Sequence, residues 1–397
     1  MMPIIPSSSK LPQYNNHREI PSLSYLSNRV VCLKIFQANV RWRSLKDIVV
    51  DLKFQLRQWQ IPNNVKNGIF DGLTETFREL QRWTEKHSQM FPETTTKITA
   101  RRRQAGLAAV HRGEHLRIFY DHLVWSQKGY NIDDLQTAYA IAKIACHDWP
   151  QMKFQFACCY AMTDLLYNDY LFDKIRRKCF RKQLDDHPVY DFWLRVLDNS
   201  TEWKRLFRDD RMIVDQRVVL VFQFAMVNGF IELLKHLWDK LTHPQQESIG
   251  FLWWKKVCFN AKHKDVMHFL CHHLCEINLQ GMARITWDSF YHKVYLSTQG
   301  DELCVSDQNE NLRQLECLLE NFCPNLRAAM LKKENFRVIT DTFLYNKPEA
   351  FALLLDYLDR QQLTVAREHV DRFYDKRRTT KFTNLRNTFI HRQMTID

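Results

Sequence analysis

The sequence predicts an all-α chain, and three observations carry that expectation. Glycine is scarce, at 9 of 397 residues, against about 7% in ordinary proteins. Apolar residues recur mostly at steps of three and four, the period of a helix with one buried face. Tight hairpin signals lack their flanks: Asn67-Gly68, Asp71-Gly72 and Asn228-Gly229 are not bracketed by alternating strand-like runs. Together these argue against sandwiches, barrels and doubly wound sheets. Apolar residues at 45% and aromatics at 13%, with 26 Phe, supply a core and exclude disorder over the whole length.

Taken in order, residues 1–18 hold three Pro, a Ser7-Ser8-Ser9 run and Asn15-Asn16, and read as a disordered lead-in. Residues 19–86 read as an N-terminal helical module, its clearest stripe being Phe70, Leu73, Phe77, Leu80 and Trp83. Residues 87–100, with Pro92 and four threonines, read as a linker. Helical periodicity then runs over 101–365, with breaks expected near 183–188, 243–248 and 298–310. Residues 366–397 form a basic C-terminal segment.

Within 101–365 one segment repeats. The stretch Ala225 to Leu237, moved forward 33 positions, falls on Cys258 to Leu270. Small meets small at Ala225/Cys258 and acidic meets acidic at Glu232/Asp265. Apolar meets apolar at Leu233/Val266, Leu234/Met267 and Leu237/Leu270. A short helix should end near Gly229, the chain turn, and a second helix begin with an acidic residue in its first turn. Ala109–Phe119, Asn311–Leu319 and Asn346–Leu358 are looser copies. The 33-residue spacing and the Ala-x-x-x-Gly-x-x-Glu-apolar-apolar order resemble the ankyrin family. The family's Thr-Pro-Leu-His tetrapeptide does not occur. The resemblance implies a degenerate ankyrin-like helical-repeat solenoid, whose surface binds a protein partner. Asn228 and Lys262, at the repeat turns, are the candidate contact residues.

In the N-terminal module, Ser22-Leu23 with Ser27 and Val31 places three residues on one helix face. Ile61-Pro62 follows, within Ile-Pro-Asn-Asn-Val-Lys-Asn-Gly-Ile. The first piece resembles the elongin-binding helix of SOCS-box and VHL-box proteins, and the second resembles the segment that contacts a cullin in that family. The resemblance implies that Leu23, Ser27 and Val31 bind an elongin adaptor by helix-in-groove docking, that Ile61 and Pro62 contribute to cullin contact, and that the chain is a substrate-recognition subunit of an elongin/cullin-type ubiquitin ligase.

Sites for chemistry are sparse. Phosphate-binding glycine loops, His-Glu-x-x-His and Gly-x-Ser-x-Gly do not occur. His263, His268, Cys271, His272, His273 and Cys275 form the densest metal-like cluster, yet they fall on the second helix of the best repeat, where Cys serves as a small apolar residue. Cys158-Cys159 reads as core. Asp185-Asp186 and Asp209-Asp210 read as turn residues. No catalytic residue, cofactor or metal is therefore expected, and the chain is read as non-enzymatic. The 11 cysteines without Cys-x-x-Cys predict reduced thiols in the cytosol or nucleus. The longest apolar run falls short of the ~20 residues that span a bilayer, so no membrane insertion is expected. The formal charge of +12 is spread along the chain, with local clusters at Arg101–Arg103, near Lys376–Lys381, and most densely at Lys174, Arg176, Arg177, Lys178, Arg181 and Lys182. Those clusters support a third reading, charge-driven nucleic-acid binding. The leading expectation is a protein-binding scaffold whose partner the sequence does not name.

Overall fold

The computed structural model describes residues 22–39, 45–91, 114–127, 129–168, 171, 173, 175, 184, 187–198, 206–207, 214–260, 263–298, 305–376 and 380–395. Among these the chain is helical and contains no strand. The one isolated bridge pairs Trp125 with Ile132. No described helix is long and apolar enough to cross a membrane. The chain divides into two compact units, Met1–Glu85 with Arg112–Thr137, and Lys86–His111 with Ala138–Asp397.

The first unit contains α1 (Leu23–Asn39), α2 (Leu45–Gln58), most of α3 (Asn63–Ser88) and a 3-10 helix at Glu114–His122. The Ser22 hydroxyl accepts from the Tyr25 amide at 3.2 Å, which caps α1. Cys32 and Phe36 are the buried residues of α1. The Cys32 thiol reaches the Ile69 carbonyl at 3.4 Å on α3, and Phe36 meets Phe77 and Trp125 edge-on. Gly72 permits this approach: a Cβ there would stand 2.6 Å from Cys32 Sγ. The expected α3 stripe is present, with Leu73, Leu80 and Trp83 buried.

Residues 114–137 belong with these helices because they pack on α3. Arg82 forks to Asp134 at 2.7 and 3.0 Å and to Glu79 at 2.8 Å. Glu79 also accepts from the Ile132 amide at 2.8 Å. Trp83 stacks edge-on to Tyr120. The stretch after Gly113, read from sequence as a loose repeat copy, is thus a 3-10 helix of the first unit, with Leu116 and Phe119 buried and Ile118 exposed.

The second unit runs through α4 (Asp134–Ala140, shared with the first unit), a π turn (Ile141–Ala145), α5 (Pro150–Cys159), α6 (Thr163–Leu166), α7 (Pro188–Asp198), α8 (Gln216–Asn228), α9 (Ile231–Trp238), α10 (His243–Asn260), α11 (Lys264–Thr298), α12 (Val305–Asn321), α13 (Pro324–Leu344), α14 (Pro348–Leu355), α15 (Arg360–Tyr374) and α16 (Thr380–Thr395). Buried aromatics form its core, among them Trp193, Trp254, Phe222, Phe230 and Phe290. The two Trp indoles are satisfied, Trp193 by the Cys158 carbonyl at 3.1 Å and Trp254 by the Thr286 hydroxyl at 2.8 Å.

One turn recurs in this unit. α8 ends with Gly229 left-handed at φ 79°, and the Phe230 amide donates back to the Ala225 carbonyl at 2.9 Å. α5 ends the same way, with Ala161 at φ 48° and Met162 donating to Ala157 at 2.9 Å. α13 ends with Asn346 at φ 54° and Lys347 donating to Thr342 at 3.1 Å. Each is a six-to-one helix stop. In each the next helix starts at once, its first bond formed to the carbonyl of Met162, Phe230 or Lys347. An acidic residue follows in the first turn, Asp164, Glu232 or Glu349, where it complements the helix dipole. The α10–α11 junction shares the restart, Met267 donating to His263 at 3.0 Å. Ala157, Ala225, Cys258 and Thr342, the small residues at the start of each copy, are all fully buried.

Three breaks differ from those the sequence predicts. Residues 243–248 lie inside α10, because Pro244 sits in the first turn of that helix, where its missing N–H costs nothing; the turn comes earlier, at 239–242. Periodicity also misses a break inside α13, where Glu334, Asn335 and Phe336 are left-handed, and one at Asn278, whose extended backbone (φ −154°) divides α11. Its side chain accepts from the Gly281 amide at 2.8 Å, capping the second half. The C-terminal segment is likewise part of the packed unit, with Ala366, Val370, Leu385 and Phe389 buried.

Candidate protein-binding surface

The side of α1 opposite Cys32 and Phe36 carries Leu23, Ser27, Val30 and Val31, all exposed. Leu23 is 80% exposed, so its side chain contributes almost nothing to the fold. The helix is nonetheless held firmly, since Arg29 donates to the Gly129 carbonyl at 2.7 Å and to the Ser126 carbonyl. Helix α2 has the same division. Ile48, Leu52 and Leu56 are buried at four-residue steps, while Val50 and Phe54, on the other side, are 65% and 63% exposed. Pro62 is exposed and Ile61 half-buried. The Pro62 carbonyl accepts from Val65 and Lys66 at 3.1 and 3.0 Å, so this dipeptide forms the entry to α3. Large apolar side chains left in water are costly when clustered, and such clusters mark binding faces.

The sequence-predicted turn contacts fare differently. The Asn228 side chain is half-buried and donates to the Phe224 carbonyl of its own helix at 3.0 Å, which leaves it poorly placed to meet a partner. Lys262 lies outside the described residues, as do Lys174, Arg176, Arg177, Lys178, Arg181, Lys182 and the triplet at 101–103. Asp185-Asp186 and Asp209-Asp210 are also outside them.

Cys158 and Cys159 are fully buried. Burial pushes both thiols up, Cys159 to about 12, so neither is a ready thiolate. The His/Cys cluster separates. His263 packs beside Gly229, His268 is exposed, and His272 and His273 flank Glu276 at 3.2 and 3.9 Å. Cys271 and Cys275 remain together, their sulfurs 3.9 Å apart. They are joined by Cys323, distant in sequence and not foreseen from it.

Compared with known protein families, with curated proteins and with solved structures, the chain matches none.

Proposed function

We propose that this chain is a non-catalytic protein-binding scaffold, its second unit a divergent ankyrin-like helical-repeat array and its first unit a docking module. The recurring turn carries the reading. Small residue, left-handed stop, acidic first turn and an apolar pair whose second member is buried occur together at 157–166, 225–234 and 342–351. A helix pair with one apolar stripe cannot bury it alone, so such units stack, and their outer side chains vary freely to fit a partner. Affinity purification of the full chain from cells, with nuclease treatment and a high-salt wash, tests it. Protein partners should survive both. Recovery of nucleic acid alone, lost as salt rises, would favour the charge-driven reading instead.

The exposed stripe Leu23/Ser27/Val31, followed by two further helices with Ile61-Pro62 at the α2–α3 junction, supports a second reading: a substrate-recognition subunit of an elongin/cullin-type ubiquitin ligase. Burying Leu23 in an apolar groove is worth about 2 kcal/mol, and an aspartate there adds a desolvation cost. Leu23→Asp should therefore weaken docking by roughly 100-fold without unfolding the chain. Elongin and a cullin recovered with the natural chain and absent with Leu23→Asp would bear this reading out. Their absence from both would remove it and leave the scaffold.

A further inference from the structure

Cys271 and Cys275 lie one helical turn apart on the first half of α11, and Cys323 is the residue that caps α13. Their three sulfurs all lie within 4.8 Å of one another, with 3.9 Å between Cys271 and Cys275. Tetrahedral zinc thiolates have Zn–S bonds of about 2.3 Å, which sets neighbouring sulfurs roughly 3.8 Å apart. The 3.9 Å between Cys271 and Cys275 is that of ligands around a shared ion and nearly twice the ~2.05 Å of a disulfide. Three thiols also cannot pair off completely. We infer that Cys271, Cys275 and Cys323 form a zinc site of the second unit, with the fourth position open to an exchangeable ligand.

The surroundings suit an anionic cluster. The Cys323 amide donates to Cys271 Sγ at 3.1 Å, and the Leu326 amide donates to Cys323 Sγ at 3.4 Å. Backbone N–H groups at a helix start stabilise negative charge. Binding Zn²⁺ releases the three thiol protons to solvent, and three thiolates with a neutral fourth ligand carry a net charge of −1. Cys275 and Cys323 are only half-buried, which gives metal and fourth ligand a way in. Among the described residues no other cysteines offer such an arrangement: Cys158 and Cys159 are neighbours within apolar core. Thiolates select zinc or copper(I) among the common ions, and four-coordinate sulfur sites are typical of zinc. The ion would tie α11 to the start of α13, two elements 52 residues apart at Cys271 and Cys323.

The test uses the full chain without a histidine tag, purified without chelator. Elemental analysis should find one zinc per chain. Titration with cobalt(II) should give the thiolate charge-transfer band and the intense visible bands of a tetrahedral site, both abolished by added zinc. Peptide mapping after alkylation should show Cys271, Cys275 and Cys323 protected until a chelator is added, which reads the site without any substitution. Cys275→Ser and Cys323→Ser should lose most of the bound zinc, roughly tenfold or more, while Cys317→Ser keeps it. The inference is overturned if the natural chain gives no tetrahedral cobalt spectrum, if alkylation of the three thiols ignores chelator, if only copper(I) is retained, or if the cysteines are recovered as a disulfide.

Discussion

If the left-handed stop after α8 is required by the fold, Gly229→Ala must damage the protein and Ala161→Gly must improve it, although the two residues close the same kind of turn. Gly229 sits at φ 79°, where a Cβ costs about 1–2 kcal/mol. The new methyl would also overlap the His263 ring, lying 2.7 Å from its Cγ and 2.9 Å from its Cε1, and displacing a packed ring costs about 1–3 kcal/mol. Stiffening of the unfolded chain returns roughly 0.5 kcal/mol. The expected loss is about 2–4 kcal/mol. At Ala161, φ 48°, the strain is already present, and glycine should relieve it for a gain of about 0.5–1 kcal/mol after its own entropy cost. Urea denaturation followed by helical circular dichroism reads both shifts. Hydrogen exchange at the Phe230 and Met162 amides, the donors that close each turn, locates them. A Gly229→Ala loss under about 1 kcal/mol, or destabilisation by Ala161→Gly, would refute the argument that this turn is a strained, packing-enforced device.

Burial takes His187 from the ordinary 6.5 down to about 4. Its Nε2 lies 3.3 Å from the Gln89 carbonyl, and Nδ1 is buried with no hydrogen-bonding partner among the described residues. The unfolded chain therefore takes up a proton between pH 6.5 and about 4 that the folded chain refuses, so stability present above pH 6.5 falls through that window and levels off below it. The fall is at most about 3 kcal/mol; His187→Phe should flatten the urea midpoint over this range, and an unchanged slope would rule His187 out as its source. Arg82→Ala leaves Glu79 and Asp134 together without their shared guanidinium, and should cost about 1–2 kcal/mol after allowing for its partial exposure. Arg82→Lys should restore less than half of that in thermal melts, because lysine cannot fork to two carboxylates; full rescue would show that charge alone suffices. Leu23→Asp should shift the melting temperature by no more than about 1 °C, since its side chain is in solvent; a large drop would mean that α1 is needed for folding and not for docking.

The exposed face of α1 was legible because a helix face can be read at steps of four. Leu23, Ser27 and Val31 fall on one side and the buried Cys32 and Phe36 on the other. Asn228 was not legible, since spacing alone cannot say whether an amide turns outward or back to the Phe224 carbonyl. The thiol group was half visible. Cys271 and Cys275 are neighbours at i and i+4, but the third sulfur arrives from 48 residues beyond Cys275, and only tertiary packing brings it there. The histidines of the same sequence window form a metal-like pattern by residue type alone: His263, His273 and His272 contact Gly229, Phe269 and Glu276, and His268 is exposed.

The recurring turn shows why sequence period alone reveals so little of it. Only the copy at Ala225 spends a glycine on the left-handed position; the copies at Ala157 and Thr342 place Ala161 and Asn346 there. Alanine in that conformation is held against about 1 kcal/mol of strain, so local propensity opposes the turn and the surrounding contacts impose it. Those contacts are constant: the small residue before the stop is buried in every copy, and so are Leu166, Leu234, Met267 and Phe351 after it. Spacing is not constant, since the copies begin at 157, 225, 258 and 342, with whole helices interposed. What persists is the hairpin's packing geometry, which tolerates any residue that fits between its two helices. A search keyed on glycine therefore finds one copy, whereas a search for small residue, acidic first turn and apolar pair at fixed offsets finds all four.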